Sequence, residues 1–150
     1  MKVAVVSTGV IGAGWTALFL AQSLDVVATD PAPDAEDRLR EAVAAAWPVL
    51  EQVGLAAGAS PDRLTFTDDV REAVTDAEFV QENGPEREDL KRALFETLDA
   101  HTPPEVLIAS SSSYMPPSLI QKACTRHPSR VLVGHPFNPC LLYTSPSPRD

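Results

Sequence analysis

Short uncharged apolar runs recur along the chain, separated by stretches in which apolar residues return every three or four positions. Six runs read as strands, at residues 3–6, 26–29, 64–66, 79–81, 106–109 and 131–133. Most are continuous and not alternating, the pattern of a parallel strand covered on both faces. Between them lie helical stripes. Leu39, Val43, Ala46, Trp47 and Leu50 share one face, and Pro48 is expected to bend or divide that helix. Leu90, Leu94 and Leu98 repeat every four residues, with Phe95 beside them. Val70, Ala73 and Val74 predict a short helix, and Pro116–Pro117 suits the start of another before Leu119, Ile120 and Ala123. Strands alternating with helices predict an α/β fold, a Rossmann-type doubly wound sheet that is mainly parallel.

One stretch tests that reading. Residues 3–24 carry no charge, which a membrane span or signal peptide would also explain. Gly9, Gly12 and Gly14 interrupt the run, polar residues punctuate it, and a second apolar run follows at once and closes on Asp30. A buried strand, a glycine turn and a buried helix account better for that order. The expectation is therefore no membrane association.

Composition narrows the function. The chain has 150 residues, 44% of them hydrophobic, enough for one ordinary core. Acidic residues outnumber basic ones, 21 to 12, for a net charge of −9. A nucleic-acid backbone binder needs the opposite balance, so no nucleic-acid partner is expected. Two cysteines make no disulfide framework, which suits the cytoplasm, and with three scattered histidines they match no metal-ligand spacing.

The strongest local signal is Ser7-Thr8-Gly9-Val10-Ile11-Gly12-Ala13-Gly14, between the first strand and first helix. It follows the dinucleotide fingerprint with Ser7 in place of the first glycine. Gly9 permits close approach of a pyrophosphate, and Gly12 permits close packing of helix on strand. Asp30 ends the second strand, eighteen residues after Gly12. An acid there accepts from an adenosine ribose and repels a 2′-phosphate, which predicts NAD over NADP. The structural alternative is a glycine turn capped by a solvated aspartate.

Two further segments follow strands. Four serines, Ser110 to Ser113, come after the fifth strand, and Gly134-His135-Pro136-Phe137-Asn138-Pro139 comes after the sixth. Strand ends in such sheets face the ligand crevice. There a hydroxyl can hold a substrate oxygen and a histidine can act as general base near neutral pH. Taken singly, each segment is equally explained as a loop cap or a structural histidine. His127 precedes its strand and His101 is assigned to a loop, both at the surface.

Taken together, the glycine turn, the serine run and the His-Pro-Phe-Asn-Pro segment resemble the N-terminal domain of the L-3-hydroxyacyl-CoA dehydrogenase superfamily, over residues 1–139. The turn from Gly9 to Trp15, Asp30-Pro31-Ala32-Pro33, and the segment from Gln81 to Lys91 are most similar to the carnitine-oxidising branch, with the gulonate-oxidising branch next. The resemblance implies an enzyme in which His135 is the catalytic base, Ser113 bonds the reacting hydroxyl, and Asn138 lies near nicotinamide and substrate. It implies NAD contacts from Ser7, Thr8, Gly9, Val10, Ile11, Gly12, Asp30, Glu86, Lys91 and Ser113. It also implies a small-molecule substrate, carnitine or a related 3-hydroxy acid, and a homodimer completed by a helical C-terminal domain beyond this chain. Tyr114 stands where the family has a small residue and is expected to crowd the pocket. The non-catalytic alternative is an NAD-sensing module, which has no use for Ser113 and His135 meeting.

The last eleven residues, 140–150, have no helix or strand period. They can be back-translated without a gap into a transposase adapter of sequencing libraries. The expectation is a native domain ending at Pro139 and a non-native tail.

Overall fold

A computed structural model describes residues 1–136. Six parallel strands form one sheet in the order β3-β2-β1-β4-β5-β6. The strands are β1 (Lys2–Val6), β2 (Asp25–Thr29), β3 (Leu64–Thr67), β4 (Phe79–Glu82), β5 (Ile108–Ser110) and β6 (Val131–Val133). The helices are α1 (Val10–Ala21), α2 (Ala35–Val53), α3 (Val70–Thr75), α4 (Glu88–His101) and α5 (Pro117–Ile120). This is the doubly wound arrangement, and its order reverses between β1 and β4, where such sheets open a ligand crevice.

Each face of the sheet has its own core. Val3, Val5, Val26 and Ala28 meet Ala17, Leu20, Leu39 and Val43 of α1 and α2. Ala4, Val6, Val80, Ile108 and Val131 meet Val74, Phe95, Leu98 and Ile120 on the other side. Successive strand residues therefore serve opposite cores, and this is why the apolar runs are continuous.

Three expectations change in detail. The fifth strand starts at Ile108, and Val106 is buried before it. Pro48 does not divide α2. Ala44 and Pro48 are both exposed, so the carbonyl that the proline leaves without an N–H partner lies on the solvent side and is not stranded in the core. His101 is the last residue of α4 and not part of a loop, with its Nδ1 2.9 Å from the Thr97 carbonyl.

Register aligns the carboxyl ends of the strands. Val6 pairs with both Thr29 and Glu82, Glu82 with Ser110, and Ser110 with Val133. The ladder then runs one residue further: the N–H groups of Ser7, Asn83, Ser111 and Gly134 donate to the carbonyls of Thr29, Val6, Glu82 and Ser110. Residues distant in sequence thus leave the sheet along one edge. Among the described residues, no helix is long and apolar enough to cross a membrane.

Candidate functional site

At the β1–α1 turn, Ser7 has φ +68°, the left-handed region that glycine occupies at little cost. The replaced glycine of the fingerprint was thus a conformational requirement, and serine meets it under strain. A Cβ on Gly12 would lie 2.0 Å from the Ser7 carbonyl oxygen, so only glycine lets α1 approach the turn. Gly9 is the N-cap of α1; no side chain caps the helix, and its first turn holds no acid. The opening N–H groups and the positive end of the helix dipole are left for an anion.

Asp30 closes this turn from β2. Its Oδ2 accepts from the Thr8 N–H at 2.7 Å and the Thr8 hydroxyl at 3.3 Å, and its Oδ1 accepts from the Ala32 N–H at 2.9 Å. The carboxylate is fixed in place yet retains lone pairs for further hydroxyl donors. Val10 is exposed and Ile11 half-buried at the start of α1. The uncapped helix end, the bare Gly9 and the oriented carboxylate fit a dinucleotide's pyrophosphate and ribose.

Beyond β5, the Ser113 hydroxyl lies 3.0 Å from His135 Nε2. Both side chains are exposed. Glu86, in the loop between β4 and α4, accepts from the Ser112 hydroxyl at 3.1 Å and the Ser113 N–H at 2.8 Å. Tyr114 is 68% exposed, with its hydroxyl 3.4 Å from the Glu86 carbonyl. Asn138 and the proposed junction at Pro139 lie outside the described residues.

Lys91 points inward. It is 2% exposed, and its ammonium donates to Glu82 Oε1 at 2.8 Å, to Glu82 Oε2 at 2.9 Å and to the Gly84 carbonyl at 3.2 Å. Glu82, fully buried, also accepts from the Gly84 N–H and the Ser110 hydroxyl, each at 2.6 Å. All three ammonium hydrogens are thus met within the protein, and the pair pins the loop that carries Glu86. Sequence reasoning gave no role to Glu82 or Asn83, and of the serine run it singled out only Ser113. The available signal was the sudden polarity of Gln81-Glu82-Asn83 at the end of a buried strand. An open cavity of about 520 Å³ beside Thr75, Glu78 and Glu105 lies near the amino ends of β4 and β5, at the opposite end of these strands from this chemistry.

The profile described as "3-hydroxyacyl-CoA dehydrogenase, NAD binding domain" matches residues 2–144. The chain belongs to this dehydrogenase family. Its cofactor is accordingly NAD. L-carnitine dehydrogenase of Streptomyces coelicolor is 60% identical to this dehydrogenase domain over 141 residues, covering 94% of the chain and 44% of that protein. L-carnitine dehydrogenase of Bacillus cereus is 56% identical over 141 residues, with 94% and 43% covered. The chain therefore spans less than half the length of these relatives. Among solved structures, 3-hydroxybutyryl-CoA dehydrogenase from Escherichia coli superposes with a TM-score of 0.83 at 27% identity, covering 95% of this chain and 30% of its own.

Proposed function

We propose that this domain is the cofactor half of an enzyme that oxidises a secondary 3-hydroxyl to a ketone, with L-carnitine as the substrate. The observation that carries the chemistry is the 3.0 Å approach of Ser113 Oγ to His135 Nε2 at the carboxyl edge of the sheet. The substrate is supported by the names of relatives at 60% and 56% identity.

When bound, NAD supplies the hydride acceptor for the carbon-bound hydrogen. The protein's part is to bind, align and move one proton. The start of α1 holds the pyrophosphate and Asp30 takes the ribose hydroxyls. Ser113 holds the substrate oxygen. With its ring proton on Nδ1, His135 accepts the hydroxyl proton at Nε2, leaving a neutral carbonyl on the product side. Glu86 fixes the backbone of Ser113, so the alcohol meets both groups in a set geometry, which can lower the barrier by about 7–11 kcal/mol at best. The resemblance assigns Asn138, outside the described residues, to the nicotinamide and substrate, and the full-length partner is a second copy of the same chain in the cytoplasm.

The test is the full-length dehydrogenase assayed by NADH absorbance on L-carnitine, L-gulonate and a 3-hydroxyacyl-CoA. Turnover is expected to be highest on carnitine, and His135→Ala to lower it by roughly 100- to 10,000-fold. Equal rates for enzyme and variant would exclude the histidine as base, and preference for another alcohol would reassign the substrate. NAD is expected to bind more tightly than NADP, with Asp30→Ala narrowing the gap.

A further inference from the structure

Ser7 presents a physical problem. A non-glycine residue in the left-handed region costs of order 1–3 kcal/mol and persists only where its surroundings hold it. The backbone N–H of Ser7 is tied to the Thr29 carbonyl. That bond fixes one end of the residue and leaves the carbonyl end, which determines how α1 is entered.

The carbonyl end is held by Asn83. Its side-chain amide donates to the carbonyls of Ser7 at 3.4 Å, Val6 at 3.3 Å and Gln81 at 3.3 Å. Two hydrogens shared among three carbonyls give individually long bonds that act together on one short segment. The amide nitrogen also lies 3.3 Å from where a Gly12 Cβ would stand. Ser7, Gly12 and Asn83 therefore meet at one point, beneath the opening of α1 and at the β1/β4 reversal of the sheet.

The amide is itself oriented. Ser111 Oγ donates to Asn83 Oδ1 at 2.8 Å, and Gln81 Nε2 donates to Ser111 Oγ at 2.9 Å and lies 3.5 Å from the same Oδ1. Both neighbours present hydrogens to the oxygen, so the nitrogen must face the turn. An aspartate at position 83 would keep the shape but offer no donor to the carbonyls.

We propose that Asn83 is the positioning residue of the cofactor turn: its carboxamide locks the left-handed Ser7 so that the N–H groups opening α1 are aimed at the dinucleotide pyrophosphate. This rests on the reading that the pyrophosphate docks at that helix start. Asn83 itself makes no cofactor contact in this scheme. It raises the fraction of molecules whose turn is ready to bind, and apparent affinity scales with that fraction.

The test measures NAD dissociation constants by isothermal titration on the 150-residue chain, with far-UV circular dichroism and unfolding midpoints taken without NAD. Asn83→Ala and Asn83→Asp are each expected to weaken NAD about tenfold. Ser7→Gly removes the conformational penalty, so Asn83→Ala in that background is expected to cost no more than about threefold. A packing variant elsewhere, Val43→Ala, is expected to lower the unfolding midpoint while leaving NAD affinity unchanged and gaining nothing from Ser7→Gly. If both Asn83 variants bind NAD as the parent does, the proposal is wrong. It is equally wrong if the loss is the same in the serine and glycine backgrounds. Absence of NAD binding by the unsubstituted chain would instead remove the docking reading on which the proposal stands.

Discussion

Glu86 accepts a hydrogen bond from the backbone N–H of Ser113 across 27 positions of sequence. The same carboxylate takes the Ser112 hydroxyl. Two bonds therefore fix the loop whose next atom out, Ser113 Oγ, stands beside His135. Glutamate does this well because a carboxylate offers several lone pairs to converging donors.

That arrangement predicts a split effect for Glu86→Gln. The Ser113 N–H and the Ser112 hydroxyl donate to different oxygens of Glu86, and glutamine replaces one of those oxygens with an NH2 that accepts nothing, so the serine loop loosens without losing its residues. In the full-length dehydrogenase, kcat is expected to fall by roughly 10- to 100-fold with a smaller change in substrate KM. Steady-state kinetics on the alcohol would check this. An unchanged kcat would mean that the loop holds its shape without the carboxylate.

The Lys91–Glu82 pair is expected to be a stability element. Lys91→Met fills similar space but leaves a fully buried carboxylate with no countercharge. The expected loss is about 3–5 kcal/mol in urea unfolding. Adding Glu82→Gln to that variant should recover part of it, because the stranded charge is gone. A loss below 1 kcal/mol, on the order of a surface pair, would show that the interior tolerates the lone ion.

Acid should weaken the fold through Asp99. Burial pushes its carboxyl up, but the N–H groups of Arg126 and His127 and the Arg130 guanidinium outweigh burial and hold it below the ordinary 3.8. Arg130 also ties its guanidinium to the carbonyls of Thr102 and Pro103, so the carboxylate anchors the segment leading into β6. A depressed carboxyl contributes stability above its unfolded value and loses it as pH falls through the folded one. Urea midpoints measured from about pH 6 downward should therefore drop below about pH 4. Asp99→Asn should start lower and show less of that drop.

Cys124 should be chemically quiet. Burial, reinforced by the Asp99 charge and only partly opposed by Arg130, raises its thiol to about 11. The thiolate is the reactive form, so alkylation by iodoacetamide at mildly alkaline pH should run at least about 100-fold slower than in the urea-unfolded chain. Peptide mass spectrometry on native and unfolded samples would follow this site. Equal rates would show that the α4–α5 side opens readily.

The fold was legible because hydrophobic periodicity is a local property. Continuous apolar runs at Val3–Val6 and Val26–Thr29 mark strands buried on both faces, and Phe95 and Leu98 mark the buried side of α4, although Leu90 of the same four-residue repeat is exposed and Lys91 is buried in its stead. The glycine turn and Asp30 were also readable, since their geometry is set within a few residues of a strand end. Local reading fails where water decides the outcome. A proline at position 48 is expected to bend or divide α2, and at this exposed position it does not divide the helix.

The sequence by itself determined the alternation of elements, the cofactor turn with its missing glycine, and the candidates Ser113 and His135. Only the tertiary structure decided that these two side chains lie 3.0 Å apart, that Lys91 turns inward to Glu82, and that Asn83 holds Ser7. The reason is strand register. Periodicity tells which face a residue takes, but polar partners from β1, β4, β5 and β6 meet only after parallel pairing brings the ends of those strands to one edge.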